Sequence, residues 1–391
     1  MVSNESFDTT ASGLGSEETR QASGVVWTMP AQISVIATAA RMSNSNVSFP
    51  RPVRLRRKAE IQLHVGFSCH QGPTPDGPII SKKQGTSGIM NAKVIIASLR
   101  APFFTGVIVP VALGSILAWY HTGNFYWGYF ALTMIGVLAL HAGANTINDY
   151  FDHLSGNDPV NTEFVRPFTG GSRLIQNQVL TSKNMLTISL TCYGIAIAIG
   201  LFLVGTRGLP ILIMGIIGVA SGILYVAPKV NLAAHGVGEI AVAMNFGVLS
   251  VLGSYYVQAQ KLSWEALLAS IPVALLITAI LWINEFPDFN ADVAVRKTHW
   301  VVRLGRKKSA VVFTVMMALV YCSILLLGIL YPGRWVLLGL LTLPLSVKVV
   351  ANALKHYDQI PQLVPSNAGT IMAHMLTGVL LCLGYLLNVW I

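Results

Sequence analysis

Asn145-Thr-Ile-Asn148-Asp149-Tyr-Phe-Asp152-His-Leu-Ser-Gly156-Asn-Asp158 and Asn284-Glu285-Phe-Pro-Asp288-Phe-Asn-Ala-Asp292 are the two stretches that decide how this chain is read. From Met90 onward there are ten acidic residues, and seven of them lie within Asn145–Glu163 and Asn284–Asp292. Each stretch closes a long hydrophobic run, which places it where a membrane span meets water.

The surrounding composition fixes that setting. Of 391 residues, 53% are hydrophobic and 11% charged, and the mean hydropathy is +0.60, whereas a soluble domain carries roughly 25% charged residues. Apolar runs long enough to cross the hydrocarbon core fall near 101–120, 127–147, 185–204, 209–227, 237–257, 264–284, 309–331, 334–353 and 370–391, about nine spans in all. Several contain Gly, Pro or Ser, which suits close helix packing in a bundle. Lys and Arg crowd one set of connections, among them Arg166, Arg173, Lys183, Lys229, Arg296, Lys297, Arg303, Arg306, Lys307, Lys308 and Lys355, against Arg207, Lys261 and Arg334 on the other. The richer side is expected to face the cytoplasm, carrying both acidic stretches with it and leaving the C-terminus outside. The expected setting is a multi-pass protein of a bacterial-type plasma membrane, with no nucleic-acid partner.

Residues 1–89 read differently: rich in Ser, Thr, Gly and Pro, without sustained periodicity, they are expected to be a mostly disordered extension preceding a transmembrane domain at 90–391. Two origins stand side by side, a targeting segment and a start assigned too far upstream of Met90. Glu5, Asp8, Glu17 and Glu18 weigh against the first. Cys69, Cys192, Cys322 and Cys382 show no metal or redox spacing and read as small apolar packing residues.

On a helix, positions four apart share a face. Asn148 and Asp152 therefore point one way, as do Asn284, Asp288 and Asp292. Two facing stripes would gather four or five negative charges at the edge of a low-dielectric medium, where they need a cation. Oxygen ligands without Cys, with His153 the only imidazole close by, point to Mg²⁺, which typically binds one or two carboxylates plus substrate phosphates. A phosphorylated or diphosphorylated substrate follows, with Arg166, Arg173, Lys297 and Arg303 as candidate grips on its oxygens. Asn145 and Asn284, one turn before the stripes, are candidate substrate contacts. Glu239, opening a span, is a candidate for positioning the acceptor or for pairing with a nearby cation. Trp264, Trp335 and Trp390 suit an interfacial aromatic belt.

These motifs resemble the UbiA-type intramembrane prenyltransferases over about three quarters of the chain, from Lys93 on. The first motif, with Gly156 where a third regularly spaced Asp would stand, is similar to the branch that prenylates 1,4-dihydroxy-2-naphthoate. So are Arg166-Pro-Phe-Thr-Gly170-Gly171-Ser172-Arg173, the segment Gly236 to Gln258, and Asn284-Glu-Phe-Pro-Asp288 with Val302-Arg303-Leu-Gly305 downstream. The resemblance implies an all-α bundle of about nine transmembrane helices around a central cavity, capped on the cytoplasmic side. It implies catalytic Asp149, Asp152, Asp288 and Asp292, with Mg²⁺ held by these and Asp158. A polyprenyl diphosphate would be the donor and an aromatic ring the acceptor, and Tyr150, Tyr225 or Tyr256 would steady the allylic cation. The chain departs from the pattern at Arg296, where the family usually has Gly, at Lys229, where a second Pro is common, and at Ala233-Ala234-His235. Other acceptors (hydroxybenzoate, homogentisate, haem, glycerol phosphate) therefore stay open, as does a non-enzymatic transporter.

Overall fold

The computed structural model describes residues 91–156, 161, 163–166, 168–331 and 333–390; the N-terminal extension and Asp158 lie outside them. A short helix α1 (Ala92–Ser98) leads into α2 (Ala101–Thr122), α3 (Trp127–Ser155), α4 (Ser182–Arg207), α5 (Leu209–Leu224), α6 (Gly238–Ala259), α7 (Trp264–Ala294), α8 (Trp300–Leu330), α9 (Arg334–His356) and α10 (Ile360–Trp390). No strand occurs among the described residues. Eight of these helices, all but α1 and α5, are long and apolar enough to cross a membrane.

The ninth expected run, 209–227, forms α5 over only 16 residues. At ~1.5 Å per residue this is about 24 Å, short of a ~30 Å hydrocarbon core. Gly208, in a left-handed conformation at φ 101°, and Pro210 start it abruptly. Tyr225 and Val226 turn away before Pro228, consistent with the restriction that proline places on the preceding residue.

Helix ends are set by local chemistry. Thr181 caps α4 through the Asn184 N–H, and Ser263 caps α7 through the N–H groups of Glu265 and Ala266. Gly156 closes α3 at φ 77°, a left-handed C-cap that glycine adopts without strain. The Gly of the first motif is thus the stop that puts Asp152 in the last turn of its helix.

Helix α7 packs against α2, α6, α8 and α10 and carries the second motif. The main core lies on this side of the molecule, with Leu113, Tyr255, Phe286, Phe313, Ile324 and Tyr385 at its centre. Tyr255 is fully buried there and bonded to His121 Nδ1 at 2.8 Å. His121 in turn reaches Glu265 at 2.8 Å, and Tyr385 donates to the same carboxylate at 3.0 Å, tying α2, α6, α7 and α10 together. Trp264, Trp335 and Trp390 are exposed, as a lipid-facing belt requires.

The opposite side is hollow. Helices α3, α4, α5, α6 and α7 surround a cavity of about 450 Å³.

Candidate active site

Proline chemistry shapes the α7 side of the cavity mouth. Pro287 has no N–H, so the Ile283 carbonyl one turn earlier loses its helical partner. Asn367 of α10 replaces it, donating Nδ2 to Ile283 O at 3.1 Å and to Asn284 Oδ1 at 2.8 Å. Arg306 of α8 adds a bond from Nε to Phe286 O at 3.1 Å. These clamps fix a helix face along which Asn284, Glu285, Asp288 and Asp292 all line the cavity.

Across the mouth, α3 presents His141, Asn145, Asn148 and Asp152. Their spacing of three and four residues is one helical stripe, so the face inferred from Asn148 and Asp152 extends two turns deeper. Asn145 donates Nδ2 to Leu99 O at 3.2 Å, tying the stripe to the turn before α2. In that turn Arg100 is left-handed (φ 55°) and lines the cavity with its guanidinium over Phe103.

The third wall is the connection after α3. Gly170, Gly171 and Arg173 have φ of 78°, 68° and 57°, and this tight turn brings Thr169, Gly170 and Gly171 to the cavity. Ser172 N donates to Asp149 Oδ2 at 3.1 Å, and Asn161 Nδ2 donates to Asp288 Oδ1 at 2.7 Å. One loop therefore touches both carboxylate motifs.

The sequence-derived candidates divide into two sets. Asn145, Asn148, Asp152, Tyr225, Asn284, Asp288, Asp292 and Lys297 converge on the cavity. The others stand behind it. Asp149 is buried against Ser172, with Oδ1 unbonded. Arg173 donates Nη2 to Asn161 O at 2.8 Å and stacks on Phe164, so it braces the loop. Arg166 and Arg303 are exposed; Arg303 bonds His235 O at 2.9 Å and lies over Trp300. Glu239 accepts from Trp300 N at 3.1 Å, anchoring the first turn of α8, where a negative charge is favoured. Of the three tyrosines, Tyr225 alone lines the cavity; Tyr150 and Tyr256 pack in hydrophobic clusters.

Periodicity did not lead to Arg100, Asn161, Thr169, Glu285 or His299, all on the cavity wall. His299, not His153, is the imidazole beside the carboxylates. It sits seven residues after Asp292 across the end of α7, a return that helical spacing does not predict. Its Nε2 is 3.0 Å from Asp292 Oδ2 and its Nδ1 3.3 Å from Glu285 Oε2. Burial alone would lower the imidazole, but the two carboxylates outweigh it and push His299 up to about 10, so it is an imidazolium at neutral pH. Lys297 Nζ meets Asp292 Oδ1 at 2.8 Å. Burial opposes its charge too, and the surrounding aspartates, Asp152 first, hold it above the usual lysine value. Asp292 is thus neutralised twice from within the protein. The Asp152 side chain has no hydrogen-bond or ion-pair partner among the described residues.

The departures from the motif pattern have physical consequences. Arg296 has φ 61°, a left-handed position where glycine carries no steric cost. Arg296→Gly is expected to stabilise the protein by about 1 kcal/mol, seen as a higher unfolding temperature in detergent; no rise would mean the strain is relieved elsewhere. Ala234-His235-Gly236 is stitched to the start of α8 by Thr298 N to Ala234 O at 2.6 Å and Trp300 Nε1 to Gly236 O at 2.8 Å.

Two helix ends bearing carboxylates over a deep apolar cavity, within a bundle of membrane-length helices, define an integral multi-pass membrane protein with a site for an amphiphile bearing a polar head. Residues 107–366 match the UbiA prenyltransferase family, and the chain belongs to it. It is a prenyltransferase. Similar proteins include the 2-carboxy-1,4-naphthoquinone phytyltransferase of Synechocystis sp., 28% identical with 75% of this chain and 93% of that one covered. The 1,4-dihydroxy-2-naphthoate octaprenyltransferase of Escherichia coli is also 28% identical, covering 77% and 98%. The fold is similar to that of a UbiA homologue from Archaeoglobus fulgidus in a structure with DMAPP and Mg²⁺, at a TM-score of 0.53 and 13% identity over 76% of this chain and 99% of that one.

Proposed function

We propose that the protein transfers a polyprenyl group from its diphosphate to 1,4-dihydroxy-2-naphthoate, releasing diphosphate and CO₂ to give a demethylmenaquinone precursor. The observation that carries the reading is the convergence of the Asp152 and Asp288–Asp292 faces on the mouth of a long apolar cavity. The names borne by the similar Synechocystis and Escherichia coli proteins support the naphthoate ring as acceptor.

The residues at the mouth fit a hard divalent cation: the donors are carboxylate oxygens, the Asp152 side chain has no hydrogen-bond or ion-pair partner among the described residues, and Asp149 Oδ1 is buried and unbonded. Asp152 and Asp288 would hold Mg²⁺ with Asp292 at the cavity mouth; Asp149, just behind the wall with one carboxylate oxygen unbonded, and Asp158 are proposed to join them. When bound, the ion neutralises diphosphate charge and supports departure of that group. Lys297 and Arg100 are placed to bind diphosphate or carboxylate oxygens, and Asn145, Asn148 and Asn284 to orient the polar substrate groups. Arg166, Arg173 and Arg303 serve better as braces and as positive charge near the mouth.

The carbon–oxygen bond to diphosphate breaks with its electrons on the departing group. The allylic cation left behind is shielded from water by the apolar wall and faces the Tyr225 ring, whose π face favours positive charge. The electron-rich acceptor ring forms the new carbon–carbon bond, and loss of its carboxylate as CO₂ restores aromaticity. Glu285 and the His299 imidazolium put a carboxylate and a positive charge on the Asp292 side of the mouth. Glu239 holds the first turn of α8 behind them. By the distribution of Lys and Arg, the mouth faces the cytoplasm. Residues 90–391 carry the activity, and the first 89 are dispensable to it.

The test is a membrane assay with dihydroxynaphthoate and allylic diphosphates, with and without Mg²⁺, reading lipid-soluble product by mass. A Mg²⁺-dependent product lacking the carboxylate mass is expected, and chelation should abolish it. Prenylation of hydroxybenzoate or homogentisate, with none of the naphthoate, would move the acceptor to another class.

A further inference from the structure

Below the carboxylates the cavity continues as an apolar bore. Along α3 its wall runs from Asp152 to Thr133; at ~1.5 Å per residue that is about 28 Å, nearly the ~30 Å thickness of the hydrocarbon core. The bore is therefore deep enough to run from one membrane interface close to the other.

At the far end its wall is a layer of packed side chains. Leu203, Ile211 and Val257 line it there, each buried, and pack against Tyr129, Val204 and Tyr256. Behind them lies an unusual support. Arg207 is 8% exposed, with no hydrogen-bond partner for Nε or Nη2. Its guanidinium lies 3.7 Å from the ring centroid of Tyr129 and 4.8 Å from that of Tyr126. A buried guanidinium without a carboxylate is costly, and here the attraction comes from two aromatic faces. The stack is held from both sides. Gln258 accepts from Tyr126 N at 2.9 Å and donates to Tyr126 O at 3.1 Å, and Thr133 Oγ1 bonds to Tyr129 O at 2.7 Å.

We infer that the Arg207–Tyr129 stack and the Leu203–Ile211–Val257 layer resting on it form an end stop that sets which prenyl chain lengths the enzyme prefers. The inference rests on the proposed reading, in which the diphosphate is held at the carboxylates. With the head fixed at the mouth, the bore gauges the tail. A chain that fills it without reaching the floor gains apolar burial with each added unit; a longer one must buckle or displace the stack. Tyr129 and Arg207 act through the floor and are positioning residues.

Two substitutions move the floor in opposite directions. Gly200 lines the bore part-way down, and a Cβ there would meet nothing within 4 Å, so Gly200→Phe fills the bore without disturbing a packed neighbour. Tyr129→Ala removes the support under the floor, whereas Tyr129→Phe keeps the ring face.

The experiment measures kcat/KM for a ladder of allylic diphosphates of increasing isoprene number with the full-length protein in membranes, and compares the ratio of long to short donors. Gly200→Phe is expected to lower that ratio by roughly tenfold or more, the size of effect a pocket gives for a misfitting apolar group. Tyr129→Ala should raise it, and Tyr129→Phe should leave it at the parent value. A ratio within about twofold of the parent in both Gly200→Phe and Tyr129→Ala, below what a misfitting apolar group produces, would overturn the gauge while prenyl transfer itself stood. If Tyr129→Ala does not fold, an unchanged ratio in Gly200→Phe alone overturns it. Silence of the parent protein toward every donor would overturn the underlying reading and the gauge with it.

Discussion

Asp152→Asn and Asp288→Asn are each expected to lower prenyl transfer by about a thousandfold or more, because each removes a charge from a site whose task is to assemble countercharge around a leaving diphosphate. Asparagine keeps the shape of the side chain and, at position 288, keeps an oxygen to accept from Asn161 Nδ2. The protein should therefore remain folded and inserted. Asp152 is the more informative of the two. It lines the cavity and its side chain has no hydrogen bond or ion pair among the described residues, so asparagine there breaks no direct contact. Turnover is read as prenylated product per folded protein, with unfolding temperature as the control. Activity within tenfold of the parent in Asp152→Asn at ordinary Mg²⁺ would sink the metal-bridged arrangement.

Much of this arrangement is legible in the sequence because it obeys periodicity. Carboxylates at three- and four-residue spacing at the end of an apolar run can only form a stripe on a helix end, and the order of the two motifs supplies the pairing of α3 with α7. The helical bundle is legible for the same reason; at α5, Gly208 and the turn at Tyr225 cut the expected run to 16 residues. What was not legible came from loops and from contacts between distant segments. Nothing in the spacing of Arg166, Arg173 and Arg303 says that the turn after α3 and the first turn of α8 direct them away from the cavity, while Arg100, just ahead of the first span, turns in. Asn161 reaches Asp288 across more than a hundred residues of chain, and the link between Pro287 and Asn367 exists only once α10 lies against α7. His299 was hidden because it follows a helix break, beyond which heptad spacing has no meaning. Arg296 is the reverse case: the departure from glycine was visible, and its left-handed backbone supplies the reason glycine suits that position.

Asp292→Asn should separate from the other two aspartates by its effect on stability. Asp292 accepts from Lys297 Nζ at 2.8 Å and from His299 Nε2 at 3.0 Å, and the two cationic side chains are only 19% and 2% exposed. Removing the shared negative charge leaves Lys297 without an ion-pair partner among the described residues and leaves His299 with Glu285 alone, at 3.3 Å. Breaking a buried pair from one side costs about 3–5 kcal/mol, and the partial exposure of Lys297 puts the expectation at the lower end. The unfolding temperature of Asp292→Asn in detergent, without substrate, should fall clearly below that of the parent, and turnover should fall with it. Asp152→Asn, by contrast, breaks no direct ion pair and removes only the longer-range attraction between Asp152 and Lys297, so its unfolding temperature should fall less than that of Asp292→Asn. A second substitution distinguishes lost pairing from general disruption. Lys297→Met on top of Asp292→Asn removes the stranded cation, and the pair of changes should cost less stability than the sum of the two alone, since residues in one ion-pair network do not add. If Asp292→Asn unfolds at the parent temperature, Lys297 and His299 find their countercharge elsewhere. Asp292 would then serve the metal alone, its charge not being needed by Lys297 and His299.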